Sequence, residues 1–258
     1  MKITVLSENT SSRPDIGAEH GLSLYIETAG KRILFDAGQT DLFAENAVRL
    51  GIDLSQVDFA VLSHGHYDHG GGLKKFLEIN SKAPVYISRH AFGEHYNGTE
   101  KYIGLDRTLA ESDRLVYTDE TYRIDETTTL FSPMHNTSPV CESKTGMTVR
   151  TENGFLGDTF RHEQFMLITE NGRKYLFSGC SHSGILNAAE WFSPDVLVGG
   201  FHLSKVDRTE FLSGIAERLN RYDTEFYTCH CTGVTQYEQM KLHMRKLNYI
   251  SAGTAIEI

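Results

Sequence analysis

The sequence predicts an α/β protein with sheets inside and helices outside, formed as one domain over residues 1–258. Three observations predict it. Strand-like and helix-like segments alternate at both ends of the chain, as in two similar βαβ-type halves. No linker rich in Pro, Ser or Gly separates those halves. The 258 residues, 40% of them hydrophobic, suffice for a substantial core, since a chain of this size hides about three quarters of its unfolded surface.

The elements follow in order. Residues 2–7 read as a strand, and 22–27 alternate Leu22, Leu24 and Ile26 with polar side chains, the pattern of a half-buried strand. Ala29-Gly30-Lys31 makes a turn, and 32–36 return as a strand. Leu42, Ala44, Val48 and Leu50 give 41–50 helical spacing, stopped by Gly51. Residues 57–63 form a short apolar strand, 70–80 a helix and 84–88 a strand. The stretch from about 91 to 145 is polar, rich in Tyr and Thr, and reads as an irregular excursion of the kind that forms lids or binding loops. Regularity returns with a hairpin, 164–169 and 174–178, around Asn171-Gly172. Then come a helix at 185–192, a strand at 195–199, a helix at 208–221, a strand at 225–228, a helix at 236–247 and a closing strand at 255–258.

Composition excludes several function classes. The net charge is −9, which argues against a general nucleic-acid binder, because phosphate contacts need a basic face. No window approaches 18 consecutive apolar residues, so no membrane span is expected. The run Met1–Glu8 is too short and meets an acid too early for a signal peptide, so a cytoplasmic location with reduced thiols at Cys141, Cys180, Cys229 and Cys231 is expected. The 12 histidines allow a metal site without establishing one.

The strongest text is Ser63-His64-Gly65-His66-Tyr67-Asp68-His69-Gly70-Gly71-Gly72, between the apolar strand Phe59-Ala60-Val61-Leu62 and a helix. Divalent metals of the zinc type take neutral imidazole and carboxylate ligands that converge from a rigid base. His64 and His66 alternate toward one side, while Asp68 and His69 at the turn face a neighbouring position, which reads as two adjacent metal positions. A His-rich surface loop is the bland alternative, and the combined HxHxDH pattern disfavours it.

This segment resembles the signature of the metallo-β-lactamase-fold superfamily of metallohydrolases. The resemblance implies an αββα four-layer sandwich, two mixed sheets flanked by helices, with one or two metals at one edge. Asp36, closing the strand Ile33-Leu34-Phe35, resembles the family's supporting acid. His162 is the candidate third histidine, and His230 the late one. At the bridging position this sequence has Cys180 where Asp is common; a thiolate can ligate zinc, and a buried inert Cys is the alternative. His182, two residues on, could replace Cys180 or hold substrate, and His202 and His20 are structural histidines or substrate contacts. His90, His95, His135 and His243 are expected outside the ligand set. On a strand, Cys229 and Cys231 would both point away from His230, so both are expected to pack.

Six motifs resemble one branch of the superfamily, which includes the archaeal dihydropterin–ribofuranosylaminobenzene phosphate synthase and bacterial metal-dependent hydrolases. They are Glu19-His20-Gly21-Leu22-Ser23, the HxHxDH segment, His162-Glu163-Gln164, Gly179-Cys180-Ser181-His182-Ser183-Gly184, Gly199-Gly200-Phe201-His202-Leu203 and His230-Cys231-Thr232-Gly233. The resulting expectation is a hydrolase of small-molecule esters, lactones or phosphoesters, working through metal-activated hydroxide. One or two divalent ions are expected, zinc first, with iron or manganese in similar sites. Expected metal ligands are His64, His66, Asp68, His69, His162, Cys180 and His230; expected catalytic groups are Asp68, His202 and His182; and His20, Glu19 and His202 are expected to contact a substrate that could be anionic. A transferase condensing a pterin pyrophosphate with an arylamine ribofuranosyl phosphate is the second reading. A non-catalytic binding protein is the third.

Overall fold

A computed structural model describes residues 1–28, 30–133 and 146–258. The part of the excursion at 134–145, with His135 and Cys141, lies outside the described residues. The first strands and helices are β1 (Lys2–Ser7), β2 (Ser23–Thr28), β3 (Lys31–Phe35), α1 (Leu42–Arg49), β4 (Phe59–Val61), α2 (Tyr67–Gly70), α3 (Leu73–Ile79) and β5 (Val85–Ser88). The middle holds β6 (Glu94–Asn97), β7 (Lys101–Tyr102), β8 (Leu115–Thr118), β9 (Thr121–Arg123), β10 (Thr128–Phe131), β11 (Met147–Thr151) and β12 (Gly154–Gly157). The remainder is β13 (Phe165–Glu170), β14 (Arg173–Ser178), α4 (Ile185–Phe192), β15 (Val196–Gly199), α5 (Thr209–Leu219), β16 (Glu225–Thr228), α6 (Val234–Lys241), β17 (Leu247–Tyr249) and β18 (Ala255–Glu257). No helix among the described residues is long and apolar enough to cross a membrane.

The chain falls into two compact units. Unit one takes its described residues from 1–119, 146–164 and 251–258, and unit two from 120–133 and 165–250. Unit one holds a seven-stranded sheet, β18-β1-β2-β3-β4-β5-β8, antiparallel from β18 to β3 and parallel from β3 to β8. Phe43 and Ala47 of α1 and Leu73 and Phe76 of α3 bury against Leu6, Leu34, Ala60 and Val85 on one face of this sheet. Ile3, Val5, Ile33 and Phe35 on the opposite face are buried too, which is why these strands read as apolar runs. The described part of the irregular stretch holds short strands, of which β6 and β7 join the following β11 and β12 in a sheet ordered β12-β11-β6-β7.

Unit two holds β17-β16-β15-β14-β13-β10-β9, parallel from β17 to β14 and antiparallel beyond. Leu186 and Ala189 of α4, Leu212 and Ile215 of α5 and Met240 of α6 bury against Phe165, Leu176, Leu197 and Phe226.

Two predicted helices differ from the observed elements. The helix expected at 70–80 begins only at Leu73, as α3, and Gly70 instead ends the short α2. Gly71 and Gly72 pass so close to the 37–40 loop that a Cβ on either would strike Gln39 O or Ala37 O. The helix expected at 236–247 stops at Lys241, and Leu247 pairs parallel with Phe226 on β16. Met240 and Met244 both reach the core with helical spacing, which imitates a longer helix in the sequence. The sheet-edge pairing of Leu247 overrides that pattern.

Candidate metal centre

In unit one the loops that matter leave the carboxyl ends of parallel strands, where α/β sheets bind ligands. Asp36 follows β3 and the His64–His69 segment follows β4. The two loops are joined by Asp36 N–H to Val61 O at 2.9 Å and Ala37 N–H to His69 O at 2.7 Å. Asp36 is buried and holds a left-handed backbone, φ 60°. Its Oδ1 accepts Ser63 N–H at 2.7 Å, and its Oδ2 accepts both Ser63 Oγ–H and His69 Nδ1, each at 2.7 Å. A carboxylate only accepts, so His69 carries its proton on Nδ1 and presents the lone pair of Nε2. Ser63 Oγ has given its one proton to Asp36, so at 2.8 Å it accepts from His64 Nδ1, which leaves Nε2 of His64 as a ligand atom too.

These rings are close. Ring centroids of His64 lie 4.6 Å from His66 and 4.1 Å from His69. His66 is buried, and burial, then the neighbouring His162, pushes its pKa well below the ordinary histidine range, so the ring is neutral as a metal ligand must be. Asp68 Oδ2 lies 3.9 Å from His69 Nε2 and 3.2 Å from Nε2 of the exposed His20. The donor chemistry, neutral imidazoles with a carboxylate, fits a divalent ion.

His162 joins this group through Gly65 N–H, which donates to its Nδ1 at 2.9 Å, while Gln164 N–H bonds Ser63 O at 2.7 Å. His162 Nε2 faces Asp158 Oδ2 at 3.3 Å. The same oxygen lies 2.8 Å from His95 Nδ1, and the His95 and His162 rings sit 3.9 Å apart. Burial would raise the Asp158 pKa, but hydrogen bonds from His162 and His95 outweigh it and hold the group well below the usual carboxylate range. Burial pushes His162 down to about 4. Ligand atoms of His66, His95, Asp158 and His162 lie within 4.8 Å of one another. Sequence reasoning set His95 aside and did not single out Asp158. His95 Nε2 is buried without a hydrogen-bond partner among the described residues, the state of an atom that expects a ligand.

Glu19, expected to contact substrate, clamps a loop. Its carboxylate accepts from Ser7 Oγ at 3.1 Å, Gln39 N at 3.0 Å, Thr40 N at 3.2 Å and Thr40 Oγ1 at 2.6 Å. His90 is half-buried, and His243 is exposed beyond the end of α6.

Unit two carries the other predicted residues in the loops after β14, β15 and β16. Ser181 Oγ donates to Gly200 O at 2.8 Å and ties the first two loops together. The His182 and His202 rings are 4.3 Å apart. Strand β16 ends at Thr228, and His230–Thr232 form a 3₁₀ turn. The alternation expected of a strand through Cys229-His230-Cys231 is therefore absent, and Cys231 Sγ turns toward Cys180 and His202. Among the described residues no disulfide joins the cysteines.

A family model described as the metallo-beta-lactamase superfamily matches residues 16–192. An uncharacterized protein of Methanocaldococcus jannaschii, MJ0448, is 34% identical over 247 residues, covering 90% of each chain. From the same organism, 7,8-dihydropterin-6-methyl-4-(beta-D-ribofuranosyl)-aminobenzene-5'-phosphate synthase is 28% identical over 262 residues, covering 90% of this chain and 88% of the relative. The crystal structure of Tm1679, described as a metal-dependent hydrolase of the beta-lactamase superfamily, has a TM-score of 0.85 at 30% identity, covering 100% of this chain and 99% of that one. The expected fold class, mixed sheets flanked by helices, is the one these proteins share, and divalent-metal binding comes with it. With its HxHxDH loop and supporting Asp36 in place, this chain belongs to the metallo-beta-lactamase superfamily.

Proposed function

We propose that the chain is a metal-dependent hydrolase of a small-molecule ester, lactone or phosphoester. The observation that carries this reading is the meeting of His64, His66, Asp68 and His69, with two rings already oriented by Ser63 and Asp36. These four are the proposed ligands in unit one, with His162 as a fifth once its Nδ1 is released from the Gly65 N–H, and Cys180 and His230 are those proposed in unit two. Zinc suits this donor set best, with iron or manganese as alternatives. When bound, a divalent ion supplies Lewis acidity, lowering the pKa of a water towards about 7.

The protein's own residues handle protons and orientation. The amide nitrogen of Asn9 can only donate, so His20 Nδ1 accepts it at 3.4 Å and His20 keeps its proton on Nε2. That proton points at Asp68 Oδ2. We assign the Nε2–H of His20 as the donor that orients the Asp68 carboxylate, and Asp68 as the acceptor that orients the attacking water. His182 and His202 are proposed to bind an anionic part of the substrate or to move a proton.

A transferase is the second reading, favoured by the 28% identity to the archaeal synthase. The metal-loaded protein is incubated with a panel of esters, lactones and phosphodiesters, and separately with a pterin pyrophosphate and an arylamine ribofuranosyl phosphate. Chelator-sensitive turnover of a panel member supports hydrolysis. Condensation without turnover of the panel replaces it with the transferase reading.

A further inference from the structure

Three parallel strands of unit two stop abreast. Ser178 of β14 is in register with Gly199 of β15, which is in register with Thr228 of β16. The loops that leave this end carry Cys180, His202 and Cys231, whose ligand atoms lie within 4.8 Å of one another. Both cysteines are buried. The backbone N–H of His202 donates to Cys231 Sγ at 3.2 Å, and the Cys231 thiol faces Cys180 O at 3.6 Å.

Two further observations point to a ligand. Nδ1 of His202 is buried with no hydrogen-bond partner among the described residues. Such atoms in native proteins normally have one, or await an ion or water. The backbone is also strained around every donor: Ser181 beside Cys180, His202 itself, and His230 beside Cys231 hold φ of 54°, 54° and 51°. Strain at non-glycine residues concentrates at sites where a side chain must be aimed. Gly200 serves the same arrangement, since a Cβ there would run into Cys231 Sγ.

We propose that Cys180, His202 and Cys231 form a two-sulfur, one-nitrogen donor set for a thiophilic divalent ion such as zinc, iron(II) or cobalt(II), in preference to manganese or magnesium. The inference rests on the metal-dependent reading above and deepens it, making Cys231 a ligand and not a packing residue, and His202 a ligand in place of a substrate or proton-transfer group. Thiolate and imidazole select soft and borderline ions, whereas manganese and magnesium favour oxygen. Cys229 is equally buried and belongs to no donor group among the described residues, so it serves as a control.

The test is a titration of the metal-stripped full chain with cobalt(II) under reducing, anaerobic conditions. A near-ultraviolet thiolate-to-cobalt charge-transfer band is expected. Cys180→Ser and Cys231→Ser should each lower it by about half, Cys229→Ser should leave it intact, and His202→Gln should shift the visible ligand-field bands. Cobalt binding with no charge-transfer band, or with a band that Cys231→Ser leaves whole, overturns the donor set while the metal reading stands. No cobalt binding at all overturns both. Cadmium NMR of the unmutated protein counts thiolate ligands from the chemical shift without relying on a variant's folding; a shift typical of fewer than two thiolates also overturns the proposal.

Discussion

Asp36 shows how one buried side chain sets the chemistry of its neighbours. Its two oxygens hold Ser63 and His69, and through Ser63 they orient His64 as well. Asp36→Asn keeps the shape but replaces an acceptor oxygen with a donor. Metal affinity should fall by about 10–100-fold, the usual effect of losing a partner that orients a ligand. Competition with a chromophoric chelator measures it, and unchanged affinity would mean His69 is held by packing alone. Asp158 plays a similar part for His95 and His162. Asp158→Ala leaves two buried imidazoles without their acceptor, and the metal-free protein should lose about 1–3 kcal/mol of unfolding free energy in urea.

At the scale of elements, the strands and helices follow local pattern except where tertiary contacts intervene. Strand β16 and helix α4 occupy the residues that their periodicity indicates. The helix α4 ends on Ser193, an exposed residue at φ 42° that closes the last turn through its N–H to Ala189 O at 2.9 Å. Glycine adopts this conformation without a Cβ clash. Ser193→Gly should therefore stabilise the protein by about 1 kcal/mol, measured by chemical denaturation. A loss of stability would show that the serine hydroxyl makes up for the strain. The break between α2 and α3 has the opposite origin, since no local pattern announces that Gly71 and Gly72 must pass under the 37–40 loop.

At the scale of the molecule, each unit combines a parallel and an antiparallel run in one sheet and places its donor loops at the carboxyl ends of the parallel strands. Ligands that bind only the folded chain stabilise it by mass action. A divalent ion at 100 times its dissociation constant should add about 2.7 kcal/mol. The thermal midpoint should thus fall on treatment with chelator and climb again, in a concentration-dependent way, as zinc is restored. A midpoint indifferent to both would argue against a metal held by folded residues.

The sequence by itself determined the family, the helix-flanked mixed sheets and the core of the candidate site. His64, His66, Asp68 and His69 are contiguous, so spacing on a strand end and turn suffices to bring them together. Asp36 is legible for a similar reason: it ends the strand next to the one that carries them. Only the tertiary structure decided what joins these groups from far along the chain. His95 reaches Asp158 because β6 pairs with β11, in register from His95 to Val149, a contact across 63 residues that no local pattern encodes. Cys231 reaches Cys180 and His202 because strand β16 gives way to a 3₁₀ turn, and side-chain direction at a strand end depends on where the strand stops. Local periodicity specifies faces of elements, whereas register and strand ends are fixed by packing and hydrogen bonding across the fold.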